Sequence, residues 1–472
     1  MSAPAVVAAG SSNEPSTRST SPAASRRGTE LALLAFAWLI GIFAYINVDL
    51  GVLGQLPDNL IIVAVACAVL LVGAHVSVRL LANHADPILL PVAALLNMLG
   101  LAMIHRLDLA DRARAVKNSS PIPTGDVSAQ LIWTTLALLL FVAVLAFVRD
   151  HRRLQRYTYT AMVAGVVLLL LPMLPIIGTT VNGATLWIRL GPFSFQPSEL
   201  AKILLTIFFA GYLVVKRDSL ALVRRKIVGL GIPRGRDLGP ILLAWLITLA
   251  ILAFQKDLGT ALMFFGLFVA MLYVATQRKT WLVIGGFMFL VATSLAYLAF
   301  GHVRLRVQVW LDTWTYASDQ SYQIAQSLFG LANGGILGTG WGRGYPEFVP
   351  FANTDFITAA LGEELGVTGF MAILVLYAVI IERALRAAIA CRDPFGKLLA
   401  VGFGTVLALQ VFVVVGGVTR LIPLTGLTTP FLSYGGSALI ANWIMVALVM
   451  RVSDRARRPA IITQRVMPVI VP

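Results

Sequence analysis

The sequence has few charged residues and almost no cysteine. Charged side chains make up 12% of its 472 residues, whereas hydrophobic residues make up 58%. Soluble globular proteins carry about twice that share of charge, so a soluble core could not bury the hydrophobic excess. The two cysteines, Cys67 and Cys391, exclude a disulfide framework and a cysteine-based metal site, and they leave the redox compartment open.

Several familiar catalytic motifs are also missing. The sequence contains no Walker motif, serine elbow or zinc-protease signature, so it predicts no nucleotide cofactor. The glycine-rich run 338–344 is not a dinucleotide fingerprint, because no strand and helix flank it; it predicts a mobile or tightly turned loop. The histidines lack metal-ligand spacing and are interpreted as structural: His75, His84, His105, His151 and His302.

The charges that are present favour one sign. Lys and Arg number 37 against 22 Asp and Glu, which gives a net charge of +15. In a chain this apolar, the imbalance indicates cytoplasmic loops of a membrane protein, and it does not require nucleic acid as a partner. Residues 1–30 are rich in Ser, Ala, Pro and Gly, and they predict a disordered cytoplasmic tail instead of a signal peptide.

Apolar runs of membrane-spanning length recur along the chain. A helix needs about 20 mostly apolar residues to cross the hydrocarbon. The fold class predicted is therefore an all-α polytopic integral membrane protein with about twelve transmembrane helices, placed near 31–48, 60–78, 87–104, 130–148, 157–177, 198–215, 239–254, 258–275, 280–300, 365–381, 398–418 and 435–450.

Lys and Arg concentrate on one side of these spans, and this pattern predicts that both termini are cytoplasmic. The basic cluster 216–236 is interpreted as an anchor at the lipid headgroups and not as a nucleic-acid patch. A basic cytoplasmic tail is expected at 452–472. The stretch 301–364 is long for a connector, so it is predicted to be a functional loop on the outer face.

Polar residues gather where four of the predicted spans begin. Each of these spans runs from outside to inside, so all four clusters are expected at helix N-termini on the outer face. Free amide groups and the helix dipole there favour an anion such as pyrophosphate. The clusters contain Gln196, Pro197, Ser198, Glu199 and Lys202; Gln255, Lys256, Asp257, Gly259 and Thr260; Thr354, Asp355, Glu363 and Glu364; and Pro430, Ser433, Tyr434, Gly435, Gly436 and Ser437.

Each cluster also has a purely structural interpretation. Glu199 and Lys202 are spaced for an ion pair on one helix face. Asp257 could cap its helix, and Asp355 could satisfy the dipole in the first turn. Ionisable residues inside spans are usually functional, which favours a site at the first of these clusters.

Taken together, these clusters resemble the SEDS family (shape, elongation, division and sporulation) of polytopic peptidoglycan polymerases, which includes RodA and FtsW. The resemblance is strongest over 182–441, and the segment Asp86-Pro87-Ile88 resembles the start of the family's first span. The chain would thus be a ten-helix core at 87–451 with two additional N-terminal helices at 31–86. The matching motifs are Asn182-Gly183-Ala184, Gln196-Pro197-Ser198-Glu199, Asp257 to Thr260, Gln326-Ser327-Leu328, Gly334-Gly335, Thr354-Asp355-Phe356-Ile357, Gly362-Glu363-Glu364-Leu365-Gly366 and Ser433-Tyr434-Gly435-Gly436-Ser437.

The resemblance implies an enzyme that polymerises lipid II on the outer face of the cytoplasmic membrane. In this reaction a GlcNAc 4-hydroxyl attacks the anomeric carbon of MurNAc with inversion, and undecaprenyl pyrophosphate leaves. Asp355 matches the family's proposed catalytic aspartate and is expected to act as general base. The residues expected to bind substrate are Glu199, Lys202, Lys256, Asp257, Glu347, Arg343, Arg420, Gln196 and Ser433.

The resemblance also implies partners and a cofactor. A class B penicillin-binding protein and other proteins of the elongation complex are expected to bind the chain. The resemblance implies an activity that depends on a divalent cation. We therefore expect Mg²⁺ or Mn²⁺ to be shared between a carboxylate and substrate phosphate, although the sequence has no dedicated metal cage. The segments 302–306 and 415–420 resemble the actinobacterial RodA branch, which favours elongation over septation.

The sequence departs from the family at three positions. Lys256 stands where the family usually has Pro, Val414 where it has Asn, and Arg420 where it has Gly. Alternatives remain open at this point: a septal polymerase of the FtsW kind, a lipid II flippase, or a noncatalytic scaffold for the transpeptidase. A flippase would need polar residues in mid-span, whereas here they cluster at the outer ends, so a polymerase is favoured.

Overall fold

The computed structural model describes residues 27–181, 183–191, 193–221, 225–227, 230–232 and 235–458. The predicted N-terminal tail up to residue 26, Asn182, parts of the basic cluster 216–236 and the C-terminal tail from 459 lie outside the described residues. The helices are α1 (Arg27–Val52), α2 (Leu60–Leu81), α3 (Leu89–Lys117), α4 (Asp126–Phe147), α5 (Thr158–Leu170), α6 (Pro197–Ala221), α7 (Gly235–Phe254), α8 (Leu258–Thr276), α9 (Thr280–Ala299), α10 (Gly301–Leu311), α11 (Tyr322–Gly334), α12 (Ile357–Ala390), α13 (Pro394–Val418) and α14 (Gly436–Arg457).

Most of these helices are long and apolar enough to cross a membrane. Within the described residues, eleven helical segments qualify by length and composition. The chain is therefore an all-α polytopic membrane protein, as predicted. The remaining predicted span, 239–254, coincides with α7, whose described apolar part, Trp245–Phe254, is shorter than a full crossing. The number of spans and the orientation of the termini stay predictions.

The helix α12 differs from the prediction at its start. It begins at Ile357 instead of 365, so Glu363 and Glu364 lie inside it. The helix continues because partners within the protein bind Oε1 of Glu363 and both oxygens of Glu364, as described below. At Gly366 the backbone leaves helical geometry, with φ 69° and ψ −175°. The predicted start therefore coincides with a kink in the helix and not with its first residue.

Short strands, which the sequence reading did not predict, occupy two connections. The strands β1 (Gly178–Val181), β2 (Ala184–Leu190) and β3 (Phe193–Phe195) form an antiparallel sheet immediately before α6. Between α6 and α7, β4 (Arg225–Ile227) pairs with β5 (Leu230–Ile232). Trp187 pairs with Thr179 in the first sheet.

The stretch 301–364 is folded and is not an open loop. It contains α10, α11, a short 3₁₀ helix at Pro346–Phe348 and the first turns of α12. The glycine-rich run within it is tightly turned, since Gly338, Gly340 and Gly342 all have positive φ. The sequence analysis predicted a mobile or tightly turned loop for this run, and the structure shows tight turns.

The helix α13 lies near the centre of the bundle. It packs against α6, α8, α12 and α14, the four helices that begin at the predicted polar clusters. Buried apolar side chains such as Phe403 and Val406 of α13 hold this core together. The N-terminal pair is more peripheral: α1 packs along α3, and α2 packs against α4.

Candidate active site

The beginnings of α6, α12 and α14 meet through hydrogen bonds. The backbone N–H of Gln196 donates to Oγ of Ser437 over 2.9 Å, which joins α6 to α14. Ser433, just before α14, donates to the carbonyl oxygen of Thr354 over 2.6 Å. The second bond fixes the residue before Asp355 against the segment 419–435, which connects α13 to α14. Gln196 and Ser433, both expected to bind substrate, therefore make structural contacts at the site.

The beginning of α8 lies against the same connecting segment. Gly259 leaves so little room that an added Cβ would lie 3.0 Å from Cβ of Thr425 and 2.7 Å from Cγ of Leu427. The structure thus brings together all four helix N-termini that the sequence analysis singled out. Helix N-termini carry partial positive charge, so their proximity favours a negatively charged ligand there.

A buried ion pair lies at the start of α6. Nζ of Lys202 is 2.5 Å from Oε2 of Glu199, and it also donates to Oε1 of Gln410 over 3.1 Å. Only 1% of Lys202 is exposed. Nε2 of Gln410 in turn donates to the carbonyl of Thr428 over 2.9 Å, so α6 is tied to the connecting segment through α13. The sequence reading missed Gln410, although a lone amide inside an apolar span was a usable signal.

Asp257 caps α8, and one of its oxygens is left without a partner. Its Oδ1 accepts a hydrogen bond from the backbone N–H of Thr260 over 2.9 Å. Among the described residues, Oδ2 is buried without a hydrogen-bond partner. Burial raises the pKa of Asp257, the nearby positive charge of Arg306 lowers it, and the negative charge of Glu199 raises it. The carboxylate is therefore costly to bury alone, which suits a group that meets a cation or substrate.

Asp355 lies two residues before α12 and is partly exposed. Burial is the largest cause that raises its pKa from 3.8 to about 6. The positive charge of Arg306 opposes the rise, and the negative charge of Asp257 adds to it. A carboxylate with this pKa is mostly ionised at neutral pH and is a stronger base than an ordinary aspartate.

Arg306 connects these carboxylates to the connecting segment, and the sequence reading did not select it. One of its guanidinium nitrogens donates to the carbonyls of Leu424 and Thr425, over 3.1 and 3.0 Å. Burial lowers the pKa of Arg306, whereas the negative charges of Asp257 and Asp355 raise it. Gly426 follows directly, and an added Cβ there would lie 3.6 Å from Oδ2 of Asp355.

Arg420 and Lys256, two cations expected to bind phosphate, have other positions. Arg420 donates through Nε to the carbonyl of Trp310 over 2.9 Å and through a terminal nitrogen to that of Leu311 over 2.8 Å, so it caps the end of α10. Lys256 is exposed in a left-handed backbone conformation with φ 64°. Burial is the largest cause that lowers the pKa of His302, and the positive charges of Arg306 and then Lys256 lower it further. Lys256 therefore lies at the margin of the site.

Arg343 and Glu347 belong to the folded stretch 301–364, which is predicted to lie on the outer face and is called the outer stretch below. The Arg343 side chain is exposed. Glu347 lies 3.2 Å from the guanidinium of Arg106, a buried residue of α3. Arg106 also donates to Oε1 of Glu364 over 2.9 Å. Glu347 is thus already paired, and sequence alone gave no reason to connect it with Arg106.

The two adjacent glutamates of α12 hold the glycine-rich run in place. Oε1 of Glu363 accepts from the backbone N–H of Tyr345 over 3.0 Å, and Oε2 of Glu364 accepts from that of Gly342 over the same distance. The backbone N–H of Gly340 donates to the carbonyl of Glu364 over 2.9 Å. Both carboxylates are therefore structural partners of the outer stretch.

A separate group of possible metal ligands lies between α5 and α13. Donor atoms of His151, Cys391 and Asp393 lie within 4.8 Å of one another. Nε2 of His151 hydrogen-bonds to Oδ2 of Asp393 over 3.1 Å, and Asp393 also caps α13 through Gly396. These bonds account for His151 and Asp393 as a structural pair, as was expected of the histidines.

The chain is similar to known peptidoglycan glycosyltransferases. The sequence pattern of the family described as cell cycle protein, which covers FtsW, RodA and SpoVE, matches residues 87–458. The peptidoglycan glycosyltransferase RodA of Mycobacterium tuberculosis is 49% identical over 93% of each chain.

Two solved structures are also similar. A chain from a peptidoglycan synthase complex that coordinates polymerization and crosslinking matches with a TM-score of 0.61 and 28% identity, over 79% of this chain and 99% of that one. The rod shape determining protein RodA of Thermus thermophilus matches with a TM-score of 0.55 and 27% identity, over 79% and 98%.

Proposed function

The chain belongs to the FtsW, RodA and SpoVE family of cell cycle proteins, the SEDS family, and from this membership we propose its function. It is a peptidoglycan glycosyltransferase of the RodA type, which polymerises lipid II for cell elongation and shape. The similarity to mycobacterial RodA extends over nearly the whole chain, beyond the family core. The observation that carries the mechanism is the partly exposed Asp355 carboxylate, whose pKa is raised to about 6 among four helix N-termini.

Asp355 is the proposed general base. The GlcNAc 4-hydroxyl of one lipid II attacks the anomeric carbon of MurNAc in the growing chain, and Asp355 accepts the hydroxyl proton. The bond from the anomeric carbon to the pyrophosphate oxygen breaks, and undecaprenyl pyrophosphate leaves with the bonding electrons. One direct displacement of this kind inverts the anomeric carbon, so a single base suffices.

The positive groups of the site are proposed to bind the pyrophosphate. The charge of Arg306 acts on both Asp257 and Asp355, and the helix N-termini add their positive dipole ends. Lys202 is buried with Glu199 and Gln410, so it contributes a fixed positive charge beside the start of α6. Lys256 and Arg343 are exposed and are proposed to meet the substrate at the margin.

A divalent cation is proposed as a cofactor. Oδ2 of Asp257 is a buried carboxylate oxygen without a hydrogen-bond partner among the described residues, which fits an oxygen ligand for Mg²⁺ or Mn²⁺. Asp257 would hold the ion together with a phosphate oxygen of the substrate. When bound, the cation would neutralise charge on the leaving pyrophosphate.

The location and partner follow from the same proposal. We expect the four helix N-termini to face the outside of the cytoplasmic membrane, since Lys and Arg concentrate on the opposite side. A class B penicillin-binding protein is the proposed partner. A similar chain comes from a synthase complex that couples polymerization to crosslinking, and this supports the proposed pairing.

The test is polymerisation of purified lipid II by the purified chain with its class B penicillin-binding protein. Asp355→Ala and Asp355→Asn are compared with the wild type at equal protein. Asp319→Asn is the matched control, because Asp319 is an exposed aspartate of the same outer stretch. We expect strands from wild type and Asp319→Asn and at least about a 100-fold loss in both Asp355 variants, the lower end of the range of general-base effects.

Two other results would contradict the proposal. Equal strands from all variants would remove Asp355 from the mechanism. No strands from the wild type, with lipid II still crossing vesicle membranes, would instead favour the flippase.

A further inference from the structure

The first helix α1 lies outside the family match, yet it contacts the outer stretch that leads to Asp355. The family pattern begins at residue 87, whereas α1 spans Arg27–Val52. Near its end, Gly51 approaches the glycine-rich run so closely that an added Cβ would lie 2.2 Å from the carbonyl oxygen of Trp341. An added Cβ on Gly342 would lie 2.7 Å from the carbonyl oxygen of Val48. Two backbones therefore touch at a point where only glycine fits on either side.

A buried polar pair fixes α1 beside this contact. Oδ2 of Asp49 lies 2.5 Å from Nε2 of His105 on α3, and only 3% of Asp49 is exposed. The His105 ring stacks on Tyr45 of α1 with centroids 4.2 Å apart. The next residue of α3 is Arg106, which pairs with Glu364. Adjacent residues of α3 thus connect α1 on one side with α12 on the other.

The contact continues into the first turns of α12. The backbone N–H of Gly342 donates to Oε2 of Glu364 over 3.0 Å, and Arg106 donates to its Oε1 over 2.9 Å. Glu364 lies in the first turns of α12, the helix that begins two residues after Asp355. A shift of Gly342 would therefore act on the helix segment that holds the proposed base.

We propose that α1 positions Asp355 for polymerisation through the contact of Gly51 with the run 341–342, which makes Gly51 and Asp49 positioning residues. The proposal rests on the proposed glycosyltransferase function and extends it to a part of the chain outside the family core. It assigns α1 a role in the rate of the chemical step and none in binding lipid II.

The test compares two helical glycines of the N-terminal pair. In Gly51→Ala the new methyl must push the Trp341 carbonyl away by about 1 Å, a displacement that at a catalytic site costs on the order of 100-fold in rate. Gly73→Ala on α2 is the matched control, because an added Cβ there has no heavy atom within 4 Å. Both changes replace a helical glycine by alanine, which does not by itself disfavour a helix, so a loss confined to Gly51→Ala reports the contact.

We expect Gly51→Ala to lower kcat about 10- to 100-fold with KM for lipid II unchanged, and Gly73→Ala to match the wild type. A purely structural loss would instead reduce the folded fraction, which is measured by thermal unfolding of the purified protein. If Gly51→Ala does not fold, Asp49→Asn decides, since it keeps the size of Asp49 and removes its charge; it should lower kcat in the same way.

Some results would overturn the inference. Wild-type kcat in a folded Gly51→Ala, a rise in KM alone, or equal losses in Gly51→Ala and Gly73→Ala would each do so. Wild-type kcat in Asp49→Asn would do the same if Gly51→Ala cannot be purified. An inactive wild type would contradict the proposed function itself, which separates the two failures.

Discussion

The raised pKa of Asp355 predicts how activity depends on pH. Only the ionised carboxylate accepts a proton, so kcat/KM should follow its ionised fraction. With a pKa of about 6, this fraction is about nine-tenths at pH 7, one-half at pH 6 and one-tenth at pH 5. An aspartate at the ordinary value of 3.8 would still be about nine-tenths ionised at pH 5. We therefore expect kcat/KM to fall about tenfold between pH 7 and pH 5.

The charges of Arg306 and Asp257 predict the direction of two shifts in this pH dependence. Removing the cation in Arg306→Gln should raise the pKa of Asp355 and move the inflection to higher pH, because Arg306 lowers that pKa. Removing the anion in Asp257→Asn should move it to lower pH, because Asp257 raises it. Arg304→Gln is the control for Arg306→Gln, since Arg304 is exposed on the same helix and should leave the inflection in place.

The assay is the initial rate of glycan strand formation from lipid II below KM, measured from about pH 5 to about pH 8, the range in which the protonation of the base changes. Unfolding is followed at each pH so that loss of folded protein is not counted as loss of rate. The reasoning is refuted if kcat/KM stays flat down to pH 5. It is also refuted if Arg306→Gln and Asp257→Asn move the inflection in the same direction.

Two further predictions concern the cations of the site. Lys202→Met should lower the free energy of unfolding by about 3–5 kcal/mol, because it leaves the Glu199 carboxylate buried and unpaired. The double variant with Glu199→Gln should recover much of this free energy in denaturant unfolding. No recovery would mean that the loss of the ion pair does not explain the lower stability. Arg420→Met should lower the free energy of unfolding by about 1–3 kcal/mol, because two carbonyls at the end of α10 lose a charged donor, and KM for lipid II should stay the same. A severalfold rise in KM at unchanged stability would instead show that Arg420 binds the substrate.

Local sequence was sufficient to predict the apolar helices and the polar helix N-termini at which the candidate site lies. Hydropathy over about 20 residues depends only on neighbours along the chain, so the runs that became α2, α8 and α13 could be located directly. The start of α12 could not, because two charged residues, Glu363 and Glu364, normally argue against a buried helix. Their helical state depends on Gly342, Tyr345 and Arg106, which only the folded chain brings to them.

The sequence by itself determined that the chain is a polytopic membrane protein and that four polar clusters begin its helices, because both follow from the order of apolar and polar residues. Only the tertiary structure decided which groups surround Asp355. Arg306 became its neighbour and Arg420 became a cap for α10, although both are arginines outside the predicted spans. The sequence also could not reveal the contact of Gly51 with Trp341, since packing between distant segments depends on the whole arrangement of helices and not on any local pattern.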